Sequence, residues 1–104
     1  MIKLVEVKKV RDFNVMERRA EAKFIVDEVW INPNTILQIR PDVTMKSHLL
    51  KGYLPEGLDE RQEFSKINFG SGSTVSSVTV VGAPELIAEK IYNIDVSKQQ
   101  LLRG

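Results

Sequence analysis

The chain has 104 residues, 42% apolar and 28% charged, enough for one core that buries roughly 60 to 70% of the unfolded surface and too few for a second domain. Fifteen basic side chains against 14 acidic ones, and no cysteine, give no general pull toward nucleic acid or anionic lipid and remove disulfides and thiolate metal sites. The longest uncharged run, residues 67–84, is rich in Ser, Gly and Thr and far less apolar than the ~20 residues of a membrane span. Lys3, Glu6, Lys8 and Lys9 stand where a signal peptide keeps its apolar stretch, so a cytoplasmic protein without membrane contact is expected.

Residues 2–10 alternate β-branched and charged positions, with Ile2 and Leu4 on one face and Val5 and Val7 on the other, as a first strand would. Residues 11–22 lose that alternation among Asp12, Asn14, Glu17, Arg18, Arg19 and Glu21, which predicts a long loop, with room for one helical turn. Residues 23–31 form the second strand, rich in β-branched and aromatic side chains, and Asn32 and Pro33 turn the chain out of it. Trp30 and Ile31 beside Val29 read as core.

Ile36, Leu37 and Ile39 make a short third strand that stops at Arg40 and Pro41. Residues 41–62 have no sustained period and read as a second long loop, a length that in a small domain usually signals function. Residues 64–69 and 75–81 flank Gly70, Ser71, Gly72 and Ser73 as a β-hairpin. Pro84 at a first helical position, Glu85 at the positive end of the dipole, and Ile87, Ile91 and Ile94 at i, i+4, i+7 predict a C-terminal helix over residues 84–93. Gly82 and Ala83 give it no side-chain cap. The tail, with Leu101 and Leu102, extends that helix or packs on a neighbour. The expected fold is a single α+β domain over residues 1–104: a small antiparallel sheet of about five strands packed by one C-terminal helix.

The chemical inventory is thin. One histidine, no cysteine, no serine in a nucleophile-elbow context and no carboxylates paired at a motif spacing argue against an enzyme. His48 has no second ligand at metal spacing, and Asp27 and Glu28, adjacent on a strand, point to opposite faces. No cofactor is expected. Gly70, Ser71, Gly72, Ser73 and Thr74 could cradle an anion with backbone N–H groups, but the loop joins two strands and lacks the lysine of a Walker loop, so a hairpin turn is the simpler expectation. Basic residues at Lys8, Lys9 and Arg11, at Arg18, Arg19 and Lys23, and at Arg40, Lys46 and Lys51 lie near Phe13, Trp30 and Tyr53. Such interleaving can bind single strands, yet acids answer each cluster, so nucleic acid ranks behind other partners. Residues 42–62 combine Lys46, His48 and Lys51 with Leu49, Leu50, Tyr53 and Leu54. That mixture is the expected recognition surface, unless the leucines fold back onto the core.

A strand leading to Ile31-Asn32-Pro33, then Ile36 and Ile39, Ile67-Asn68-Phe69 before a glycine turn, Val78 to Val81, and Pro84-Glu85-Leu86-Ile87 with Lys90-Ile91 together resemble the FlbD family of small flagellar-operon proteins. Similar small phage-encoded proteins share the pattern, while this chain inserts residues 8–22 and 42–62. The resemblance implies a sheet-plus-helix fold and a phage-type accessory protein that acts by binding. The expected function is therefore a non-enzymatic binding protein in the host cytoplasm that takes a host protein or sequesters a ligand, with a sponge for a small nucleotide built on the Gly-Ser-Thr hairpin, or a nucleic-acid-binding protein, as alternatives. Free sheet edges without internal proline predict a homodimer or higher oligomer.

Overall fold

In a computed structural model the backbone is described for residues 1–14 and 19–103, and side chains for residues 1–10, 23–70 and 72–93. Two long strands, β1 (Ile2–Asn14) and β2 (Arg19–Ile31), form a hairpin. A 3-10 turn at Pro33–Thr35, capped by the Asn32 side chain, leads to β3 (Ile36–Pro41). Helix α1 (Val43–Leu50) follows, then β4 (Phe64–Ser71), β5 (Thr74–Val81) and α2 (Pro84–Arg103). The five strands make one antiparallel sheet in the order β2-β1-β5-β4-β3, the α+β architecture expected from the alternation. Among the described residues no helix is long and apolar enough to cross a membrane.

Alternation assigns side chains to two faces, and each face carries its own apolar cluster. On one face Ile2 and Leu4 of β1, Ile31 of β2, Ile67 of β4 and Val80 of β5 are buried beneath Ile87 of α2, with Ile91 packed at the margin. The i, i+4 pair of that helix therefore covers the sheet as its stripe predicts; the side chain of Ile94 lies outside the described residues. On the other face Val7 and Phe64 are buried against Leu49 of α1 and Leu54, with Met45 and Leu58 alongside. Val5 and Val7 thus oppose Ile2 and Leu4, as the sequence pattern requires.

The junction from sheet to α2 depends on Gly82. Its φ of +126° suits glycine, and a Cβ there would stand 3.2 Å from Ile87 Cδ1. The buried Ser65 hydroxyl donates to the Gly82 carbonyl at 2.7 Å, and the Gly82 N–H donates to the Glu63 carbonyl at 2.8 Å. These bonds satisfy backbone groups at a turn with no helix-capping side chain.

Three expectations need correction. Residues 11–22 are not a long loop: β1 continues to Asn14 and β2 begins at Arg19, paired throughout. Alternation in sequence is imposed where a helix covers the strand, and backbone pairing can continue without it. The one helical turn allowed there would fall on residues 15–18, outside the described residues. Residues 41–62 are not a continuous loop either, since α1 occupies Val43–Leu50 with Asp42 as its N-cap, accepting from Met45 N–H at 2.9 Å. Trp30 is 58% exposed rather than core. Val29 and Ile31 take the α2 face, so Trp30 falls on the opposite one, where Lys3 Nζ lies 5.9 Å from its ring centroid.

Candidate functional site

The registers place Val26, Val7, Thr79, Lys66 and Arg40 in one row across the α1 face, from β2 to β3. Lys9 and Phe24 sit directly opposite each other on the hairpin, one step further along the same face. Helix α1 closes over this row from one side. A cleft of about 420 Å³ results, lined by Lys9, Phe24, Arg40, Lys66 and the start of α1 from Asp42 to Met45, with His48 at its back.

Three cations face one carboxylate here, and that carboxylate is already engaged. Asp42 Oδ1 accepts from the Met45 N–H and Oδ2 accepts from the Thr79 hydroxyl at 2.7 Å. The cations are not so engaged: among the described residues Arg40, Lys66 and Lys9 form no ion pair. Arg40 and Lys66 are direct cross-strand partners, an arrangement in which like charges destabilise a sheet. The first turn of α1 adds the positive end of a short helix dipole.

A second hollow of about 340 Å³ adjoins the first and shares Lys9, Phe24 and His48 with it, Tyr53 completing the wall. The His48 ring lies 5.1 Å from that of Phe24 and 5.8 Å from that of Tyr53. His48 Nδ1 is buried without a hydrogen-bond partner among the described residues. The site is therefore cationic at one end and aromatic at the other.

Of the residues singled out from sequence, His48 and Tyr53 belong to this site, as do Lys9 and Arg40 from the basic clusters, while the remaining candidate binding residues stand elsewhere. Lys46 is a structural tie: its Nζ donates to the Glu60 carbonyl at 2.6 Å and the Gln62 carbonyl at 2.8 Å, with Glu63 at 3.4 Å. Lys51 is the exposed C-cap of α1. Leu49 and Leu54 fold back onto the core, while Leu50 stays exposed. Gly70 and Thr74 border a separate hollow with Thr35, Phe69 and Ser76, and no charged side chain lines it. Gly72 and Ser73 form the exposed two-residue turn, with Gly72 at φ +63°; the Ser71 side chain lies outside the described residues. A Cβ on Gly70 would meet the Thr74 carbonyl at 2.7 Å, so close strand packing accounts for that glycine. Phe24 and Lys66 have no signal in linear sequence beyond their parity, and Lys9 has only that and its place in a basic cluster. Each lies an even number of residues from Val7, Val26 or Phe64 on its own strand, and only the strand order brings them together. Among the described residues no group of three His, Asp or Glu could hold a metal ion. Compared with protein-family models, with curated proteins and with solved structures, the chain finds no match.

Proposed function

We propose that this chain is a non-enzymatic binding module whose ligand is a small phosphorylated molecule bearing a planar ring, a nucleoside phosphate in chemical class. The observation that carries this reading is the pair of adjoining hollows, one bordered by Lys9, Arg40 and Lys66 and the other by Phe24, His48 and Tyr53. A phosphate between Arg40 and Lys66 relieves their mutual repulsion and gains charge-assisted hydrogen bonds. A planar ring against Phe24 and Tyr53 gains stacking, and a hydrogen bond to His48 Nδ1 would satisfy a group that is costly to leave unpaired. Each oxygen of the single carboxylate of the cleft already accepts a bond, one from α1 and one from Thr79, which favours its ionised form and makes it a weaker general base. Such a module acts by holding its ligand, the sequestering role implied by the resemblance to small phage proteins, with α1 rather than the Gly-Ser-Thr hairpin supplying the site.

The test is a calorimetric titration of the whole chain with a nucleoside monophosphate, ribose 5-phosphate and the free nucleoside. The monophosphate is expected to bind more tightly than either half, with Arg40→Ala weakening both phosphates and Phe24→Leu weakening only ligands that carry the ring. Absence of saturable binding at millimolar monophosphate overturns the proposal. Equal retention by Arg40→Ala moves the ligand out of this cleft.

A further inference from the structure

Strand β2 forms one border of the sheet, and among the described residues its outer edge is unpaired along all thirteen positions. Which backbone groups it presents follows from ladder parity. The two-residue turn makes Ser71 and Thr74 a hydrogen-bonded pair, and alternation then carries across the sheet. Ser65 and Val80 bond, Thr79 bonds to Val7, and the even residues of β1 bond to the odd residues of β2. Phe24, Val26, Glu28 and Trp30 therefore direct N–H and C=O outward. In agreement, the Glu28 N–H is taken up by the side chain of Asp27, which accepts it at 2.9 Å.

We infer that β2 pairs with β2 of a second copy of this chain, antiparallel, about a twofold axis at Ile25. Two observations select that register, and ladder parity fixes its pair types. Ile25 is the midpoint of Arg19–Ile31, so only this axis sets every residue of the strand opposite a partner. It places Lys23 opposite Asp27 of the other copy twice, and Phe24 opposite Val26 twice. Residues 23, 25 and 27 become non-hydrogen-bonded pairs, the type that brings opposing side chains closest. Displacing the axis by one residue toward the N-terminus puts Asp27 opposite Glu21, and by one toward the C-terminus puts Asp27 opposite Ile25. Displacing it by two opposes Lys23 to Lys23 or Asp27 to Asp27. The centred register alone, among those that keep the α2 faces together, combines opposite charges with apolar pairs.

Pairing asks Glu28 N–H to exchange Asp27 for a carbonyl of the second strand. The freed carboxylate, 60% exposed and already 3.5 Å from Lys8 Nζ, then faces the incoming Lys23. Because the axis is perpendicular to the sheet, both α1 faces lie on one side of the ten-stranded product. Each copy then supplies Val26 beside the Phe24 that walls the other copy's cleft.

The chain has no cysteine, so Ile25→Cys is a register-specific probe. The two introduced thiols would face each other across a non-hydrogen-bonded pair, about 4.5 Å apart at Cα and within disulfide reach. Mild oxidation is expected to convert this variant to a covalent dimer in minutes, whereas Val29→Cys stays unlinked. Sedimentation is expected to show a dimer for the native chain at tens of micromolar. Lys23→Asp and Asp27→Lys should each raise the dimer dissociation constant at least tenfold, and the double exchange should restore it. Val26→Pro removes an outward N–H and no ladder bond within the chain, so it provides a folded monomer control if either charge variant loses its circular-dichroism spectrum. A native chain that sediments as a monomer at 100 µM overturns the inference, as does one that dimerises while its Ile25→Cys variant fails to cross-link. A monomer that captures a different extended segment at this edge has the same consequence.

Discussion

If Lys66 serves a ligand rather than the fold, its removal stabilises the empty protein and weakens binding. In the sheet Lys66 is paired directly with Arg40 and, among the described residues, with no carboxylate. Two unit charges roughly 6 Å apart in a surface medium of ε about 40 to 80 repel by about 0.7 to 1.4 kcal/mol. A Debye length of ~8 Å at physiological salt reduces this by about half. Lys66→Gln keeps most of the stem and deletes the charge, so unfolding free energy should rise by roughly 0.5 kcal/mol. For a domain of this size that is about 2 to 4 °C in Tm. Loss of a charge-assisted hydrogen bond to phosphate costs about 1.5 to 3 kcal/mol, or roughly 10- to 150-fold in Kd. Urea denaturation at 20 mM and 500 mM salt, with calorimetric titration of a nucleoside monophosphate, measures both. The stability gain should shrink at high salt. A variant that is less stable than the native chain, or that gains as much at 500 mM salt, refutes the repulsion argument.

Ile87→Asp sets an unpaired charge at a side chain 1% exposed. It should cost several kcal/mol against a total of roughly 5 to 15, leaving the chain unfolded or insoluble, while Ile91→Asp, at the margin of the same cluster, should melt lower but remain folded. Gly82→Ala adds a Cβ at φ +126° within 3.2 Å of Ile87 Cδ1 and should lower stability by roughly 1 to 3 kcal/mol in a denaturant titration. Lys46→Met strands the Glu60 and Gln62 carbonyls and should speed amide exchange and proteolysis across residues 51–63 before global stability falls. Asp59 is held below the usual carboxylate range chiefly by the Arg61 side chain and next by the Arg61 backbone N–H. Arg61→Ala should therefore raise its titration midpoint, followed by carboxyl NMR. Because the folded value is depressed, whatever this pair contributes is present above the unfolded pKa and is lost as pH falls through the folded one.

The sheet is legible because burial on two faces writes alternation into sequence. Ile2 and Leu4 against Val5 and Val7, and Ile87 with Ile91, predict the elements that the structure contains. Helix α1 escapes a sequence reading for a physical reason. Over eight residues it begins with the strand-favouring Val43 and Thr44, and its apolar side chains divide between half-buried Met45 with buried Leu49 and exposed Val43 with Leu50, so its clearest signal is Asp42 after Pro41, an N-cap behind a strand stop. Richness in apolar residues, taken without parity, misplaces Trp30. His48 and Tyr53 are legible as candidates from the density of side-chain types around them. Lys9, Phe24, Arg40 and Lys66 come from four different strands, and no spacing in a linear chain records a cleft that strand order assembles.

Among the described residues the β1–β2 hairpin meets the rest of the sheet through two rungs, Glu6 with Val80 and Val7 with Thr79. Lys9 and Phe24 stand on the hairpin side of that seam, whereas Arg40, Lys66 and α1 stand on the other. The cleft is thus bordered by two parts of one sheet that share a short seam, which the apolar clusters reinforce through Ile2, Leu4 and Val7 of the hairpin. The proposed anion, bridging Lys9 and Lys66, would add a further fastening across that seam. Occupancy would then be felt as slower amide exchange at Val7 and Thr79, two positions beneath the proposed ligand that contribute no side chain to holding it.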